Sequence, residues 1–116
     1  MKTKNFDNYK MNDKVYKIRR EVIDIIYQAK KTANLPRIDV RVGEGRHRTL
    51  GVARMNDCKI WIDVKKSGKN LLQVVLHEIC HAVYGTEHDE KCPLMSHVAK
   101  PMTDKMAWKC FAKYAK

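Results

Sequence analysis

The chain predicts an α+β fold in a single domain spanning residues 1–116. Three features carry that expectation. An amphipathic helical pattern occupies the N-terminal third, three short runs with strand character fill the middle, and a nearly all-apolar helical stretch with two histidines follows them. The expected order is N-terminal helix, three-stranded mixed sheet, histidine-bearing helix, tight turn and C-terminal helix.

Each element has its own signal. From Asp13 to Ala33, Val15, Ile18, Val22, Ile25, Ile26, Ala29 and Ala33 recur at steps of three and four, which is one face of a helix. Asp13 is suited to cap its start, and Asn34 with Pro36 to end it. Lys14, Lys17, Arg19, Arg20, Lys30 and Lys31 fall on the outer face, an arrangement that is most often simply solvated. Residues 1–12 are polar and are expected to be flexible. Arg37 to Val42 alternates at period two and reads as a strand. Thr49–Met55 and Cys58–Val64 read as two more, joined at the turn pair Asn56-Asp57. Ile60, Trp61 and Ile62 make the last strand the more buried of the two. Between the first two strands, Gly43 to Arg48 concentrates glycine and basic residues without P-loop spacing or an aromatic, and reads as a rim loop. Asn70 with Gln73 predicts a capping box at the start of the next helix. The last helix starts at Thr103 or Asp104 and turns Ala107, Trp108, Phe111, Ala112 and Ala115 inward.

The chemistry concentrates in residues 77–96, HEICHAVYGTEHDEKCPLMS. His77 and His81 lie four apart on a helix, so both project from one face and can share a metal ion. Glu78 is turned about 100° from His77, where it reaches a water rather than the ion. From Leu71 to Val83 the helix is otherwise apolar, and Gln73, His77, Glu78 and His81 fall in one arc of roughly 140°. Two imidazoles and a carboxylate buried there without partners would cost several kcal/mol. A chance pattern of locally hydrogen-bonded core histidines is the bland alternative. Imidazole suits zinc, and a catalytic zinc site takes three protein ligands and keeps one position open. Gly85 can end the helix in the left-handed conformation and return the chain, which makes Glu87, His88 and Asp89 the candidates for a third ligand.

With Cys92-Pro93-Leu94-Met95-Ser96 following, the stretch resembles the metzincin clan of zinc peptidases, whose pattern is H-E-x-x-H-x-x-G-x-x-H and then a methionine turn. The likeness is strong over about twenty residues. Tyr84 is one residue too many between His81 and Gly85. Counting from His81 puts Glu87 at the third-ligand position, whereas counting from the glycine puts His88 there. Glycine fixes the local geometry that follows it, so His88 is preferred and Glu87 stays the alternative. The resemblance further implies Zn2+ as the cofactor, Glu78 as general base and Met95 as packing beneath the metal. It implies a peptide or protein substrate paired along the strand Thr49–Met55. Cys92 is a possible ligand to a second, structural zinc, and His97 stands where some relatives place a residue that contacts the oxyanion.

Composition sets the bounds. Hydrophobic content of 44% with 32% charged residues fits a globular domain rather than a disordered chain. No apolar run reaches the length of a membrane span, and the lysine-containing start lacks the apolar core of a secretory signal. A cytoplasmic protein, compatible with a bacterial or phage origin, is therefore expected, with the four cysteines reduced. A charge of +11 favours acidic partners, nucleic acid among them. That leaves a non-catalytic rival to the peptidase: a basic nucleic-acid- or protein-binding module stapled by a structural zinc. A closed site with a fourth ligand from Cys92 or Glu87 would favour the module. An inhibitor or host-directed accessory protein is a third class to which no motif points.

Overall fold

The computed structural model describes residues 13–43, 51–54, 57–63, 70–96 and 100–115. Among the described residues, three helices and three strands follow in the order α1 (Asp13–Thr32), β1 (Asp39–Gly43), β2 (Gly51–Arg54), β3 (Lys59–Asp63), α2 (Leu71–Tyr84) and α3 (Asp104–Tyr114). The protein is a small α+β domain. β3 lies between the other two strands, parallel to β1 and antiparallel to β2. In register, Val40 and Val42 of β1 stand opposite Ile60 and Ile62, while Ala53 and Gly51 of β2 stand opposite the same two residues. A central strand is covered on both faces, and Ile60, Trp61, Ile62 and Asp63 are accordingly all buried.

The core forms around α2. Val75, Leu76, Ile79, Cys80 and Ala82 have no exposed surface, and they pack with Val22, Ile26 and Ala29 of α1, Ile60 and Ile62 of β3, and Ala107, Cys110 and Phe111 of α3. Such a helix, apolar over most of its girth, is held by tertiary packing rather than by propensity. Cys110, not Ala112, completes the inner face of α3: Ala112 is exposed, because the 3.6-residue period places position 110 nearer to Ala107 and Phe111. Thr103 caps that helix, its hydroxyl accepting from the Met106 amide at 3.1 Å. All four cysteines are free thiols. Among the described residues no helix is long and apolar enough to cross a membrane.

Two local expectations need correction. Asn70 makes no side-chain cap on α2. Gln73 instead donates from Nε2 to the Lys100 carbonyl at 2.9 Å, tying the first turn of α2 to the segment before α3, which satisfies a buried amide that a surface cap would leave behind. Cys58 is not the first residue of a strand but a turn residue, with φ of 54°. Its amide donates to the Ala82 carbonyl at 3.0 Å and its carbonyl accepts from the Asp39 amide at 2.8 Å. One residue, in the left-handed conformation, thereby joins the β2–β3 turn to both α2 and β1. Asn56, the other half of the expected turn, lies outside the described residues, as do residues 1–12, residues 44–48 of the expected rim loop, and Thr49, Leu50, Met55 and Val64 of the expected strands.

A non-glycine residue in the left-handed region carries a penalty of about 1–2 kcal/mol that glycine escapes. Cys58→Gly is therefore expected to keep or raise the thermal midpoint, while the β-branched Cys58→Val lowers it. Equal destabilisation by both substitutions in a calorimetric melt would show that the side chain, not the backbone conformation, matters at this turn.

Candidate metal centre

The helix α2 sets the first two imidazoles. One turn apart, His77 and His81 stand half-buried with ring centroids 4.7 Å apart. Each is fixed from behind by a main-chain carbonyl. Nδ1 of His77 meets the Leu94 carbonyl at 2.7 Å, and Nδ1 of His81 meets the carbonyl of Thr86. A carbonyl only accepts, so each Nδ1 must carry the proton. In the neutral rings Nε2 then holds a lone pair, and the two Nε2 atoms face one another at 3.1 Å.

The loops that supply those carbonyls follow from local sequence. Gly85 ends α2 with φ 65° and ψ 24°, its amide bonding to the His81 carbonyl at 3.2 Å, and the next amide, of Thr86, reaches the Cys80 carbonyl at 3.1 Å. This left-handed cap turns the chain so that the Thr86 carbonyl lands on His81. The methionine-containing segment folds into a closed loop: the Asp89 amide donates to the Met95 carbonyl at 2.9 Å, and the Cys92 amide to the Asp89 carbonyl at 3.0 Å. Leu94 and Met95 are buried in the core, which holds the Leu94 carbonyl under His77. Ser96 braces the same loop by donating to a Glu90 carboxylate oxygen at 3.0 Å.

His88 completes the group. Its ring lies 5.2 Å from that of His77 and 4.8 Å from that of His81, and one nitrogen from each of the three rings falls within 4.8 Å of the others. Neither Glu87 nor Cys92 belongs to this group, nor to any other such group among the described residues. Glu87 is exposed, and Cys92 is buried beside Cys110 and Tyr114. Met95, fully buried, is part of the core. His97 lies outside the described residues.

Two lone pairs held 3.1 Å apart repel each other unless a proton or a cation lies between them. A shared proton would make one ring an imidazolium, since its Nδ1 is already protonated. Burial favours the neutral form of His81, the neighbouring His88 acts in the same direction, and the Thr86 carbonyl acts against both. The donor set therefore suits a metal ion. Two nitrogens about 2.0–2.1 Å from a shared tetrahedral ion are separated by about 3.3 Å, close to the spacing seen. His88 stands a little wider, and its exposure leaves it room to close. Glu78 is 7% exposed, and desolvation raises its carboxyl pKa to about 8 from 4.5 in the metal-free chain. No family model, curated protein or solved structure matches the chain.

The two carbonyl contacts are invisible to sequence reasoning, because a backbone oxygen has no residue identity. The only textual trace is Gly85 for the Thr86 carbonyl; nothing in the letters marks Leu94.

Two outcomes are expected. His88→Ala should weaken divalent-metal binding at least tenfold while Glu87→Ala leaves it within about twofold, measured by competition with a chromophoric chelator; the reverse ranking would move the third ligand to Glu87. In the metal-free chain, a carboxyl whose folded pKa is raised is uncharged and harmless below the unfolded value near 4.5, and it opposes folding as pH rises from there toward about 8. Glu78→Gln removes that dependence. Chelator-treated Glu78→Gln protein should gain stability over wild type by about 1–4 kcal/mol at pH 8 and much less at pH 5 in urea titrations. A gain equal at both pH values would contradict the desolvated carboxyl.

Proposed function

We propose that the chain is a zinc-dependent peptidase of metzincin type, hydrolysing peptide or protein substrates. The observation that supports this most is the open grouping of His77, His81 and His88 on one side of a helix that also buries Glu78 beside them. Three imidazoles and no fourth protein ligand among the described residues match a site that keeps a position for water or substrate. Imidazole nitrogens also suit zinc better than the hard, oxygen-seeking cations.

Zinc bound there supplies a Lewis acid that polarises a scissile carbonyl and makes a water more acidic at neutral pH. The chain's own residues do the rest. His77 and His81 are held in the Nδ1–H tautomer by Leu94 and Thr86, so the donor atoms are pre-set and need no rearrangement. Glu78 takes the proton from the attacking water and returns it to the leaving amine. Desolvation makes its carboxylate a stronger base than a solvated glutamate, bringing it nearer to working pH. β2 is an outer strand of the sheet, and an extended substrate can pair along it. Cys92 and Glu87 as fourth ligands would close the site and favour a structural zinc instead; neither stands in the group.

The test is a fluorogenic peptide library with the zinc-loaded protein. Glu78→Gln should keep its zinc, read by elemental analysis, and lose about a hundred- to ten-thousand-fold in kcat/KM. Cleavage at an unchanged rate by the Gln variant would reject Glu78 as the base. A zinc-loaded wild type that cleaves nothing would favour the non-catalytic module.

A further inference from the structure

Among the described residues, basic side chains gather on one face of α1. Between Tyr16 and Lys31 of α1, Arg19, Arg20, Lys30 and Lys31 fall with Tyr16, Ile23 and Tyr27 inside one arc of roughly 120° at 100° per residue. No acidic residue of that stretch lies in the arc; Asp24 and Glu21 fall beyond its edge. Tyr16, Ile23 and Tyr27 are 52%, 46% and 63% exposed, so three of the four large hydrophobic side chains exposed among the described residues line this one stripe. Concentration of that kind is not what a merely solvated face requires. The Lys31 ammonium sits 4.9 Å from the Tyr27 ring centroid, so cation and aromatic already work as a pair.

The stripe runs into a groove. Arg19, Ile23 and Lys30 also line an open cleft of about 730 Å³ between α1, β1 and the turn before β3, where Arg37, Arg41 and Lys59 join them. The cleft contributes two carboxylates, Asp39 and Asp57, and Asp39 accepts from Arg41 Nε at 3.2 Å. The cleft thus brings five cations, Arg19, Lys30, Arg37, Arg41 and Lys59, together with two carboxylates, while Arg20 and Lys31 extend the charge along the stripe and Asp24 borders it. None of the three metal-centre histidines lines this surface.

We infer that the stripe and cleft bind single-stranded nucleic acid, the cations following successive phosphates while Tyr16 and Tyr27 stack on bases. The two tyrosines stand about 16 Å apart along the helix with cations between and beyond them, the interleaving of charge and flat rings that single strands use. A duplex would hide its base faces from both rings. An acidic polypeptide would meet the cations but has no base to offer the tyrosines. The inference does not depend on the metal centre or on peptidase activity.

The experiment is fluorescence anisotropy of the full chain with a labelled 20-nucleotide oligothymidine and, in a second arm, oligouridine. Expected is saturable binding with Kd on the order of 10⁻⁴–10⁻⁶ M, falling with salt by roughly 0.7 log units per phosphate contacted for each decade of salt. Lys30→Glu with Lys31→Glu should weaken it at least tenfold. Tyr27→Ala should weaken it about tenfold with little change in salt slope, as loss of stacking does. Tighter binding of either oligonucleotide supports the inference and says which sugar is preferred. Both variants involve exposed side chains, and far-UV circular dichroism verifies their fold. Absence of binding at low salt, or affinity unmoved by the charge reversal in a folded variant, overturns it. So does competition by polyglutamate as strong per charge as that of the oligonucleotide, with Tyr27→Ala silent; that result would assign the surface to an acidic protein segment.

Discussion

Two hydrogen bonds from imidazole to main-chain carbonyl govern the arrangement of this molecule: His77 to Leu94 and His81 to Thr86. Each fixes a ring by its Nδ1 and leaves Nε2 directed at a common point. Neither carbonyl belongs to the helix that carries the histidines. One comes from the cap that ends α2, the other from the methionine-containing loop, and both are held by packing and backbone bonds of their own. Much of the chain after Leu71 therefore serves to place two oxygen atoms. Such outer contacts fix the tautomer and orientation of a metal-binding imidazole and raise its basicity.

The rest of the fold supplies rigidity. α2 is embedded among α1, the sheet and α3, so its histidine-bearing side cannot rotate without opening the core. Gln73 anchors its first turn to Lys100, and the Cys58 amide anchors its last turn through Ala82. Among the described residues, Cys58 and Gly85 are the two with positive φ; Gly85 ends α2, and Cys58 bonds to its last turn through Ala82. At Gly85 the left-handed turn is free of strain, and the strain at Cys58 is offset by a hydrogen bond to a helix-end carbonyl that would otherwise lack a partner. The basic stripe and cleft lie on α1 and the β1 side, and none of the three grouped histidines lines that cleft.

The class of the fold and the histidine pair were legible because they rest on periodicity. The α1 pattern and the spacing of His77 and His81 are consequences of 3.6 residues per turn, and the helices lie within a residue or so of where that spacing puts them. The third histidine was harder, since the extra Tyr84 let Glu87 and His88 compete; the left-handed Gly85 carries the following segment as a unit and His88 joins the group. Asn70 and Gln73 misled because a capping-box pattern describes a solvent-facing helix start, whereas Gln73 is buried and finds a distant carbonyl. Cys58 misled because strand propensity says nothing of a bond to the end of a helix that comes later in the chain. Non-local backbone contacts of this kind have no sequence signature.

The tautomers of His77 and His81 test this account most directly. Long-range nitrogen–proton NMR on isotope-labelled protein, recorded before and after adding one equivalent of zinc, reads the state of every imidazole nitrogen. The account predicts Nδ1 protonated in both rings throughout, with the Nε2 resonances alone moving to metal-bound values on titration. Nε2 protonation that persists with zinc, or coordination through Nδ1, would contradict it, because the carbonyls of Leu94 and Thr86 would then not be setting the site.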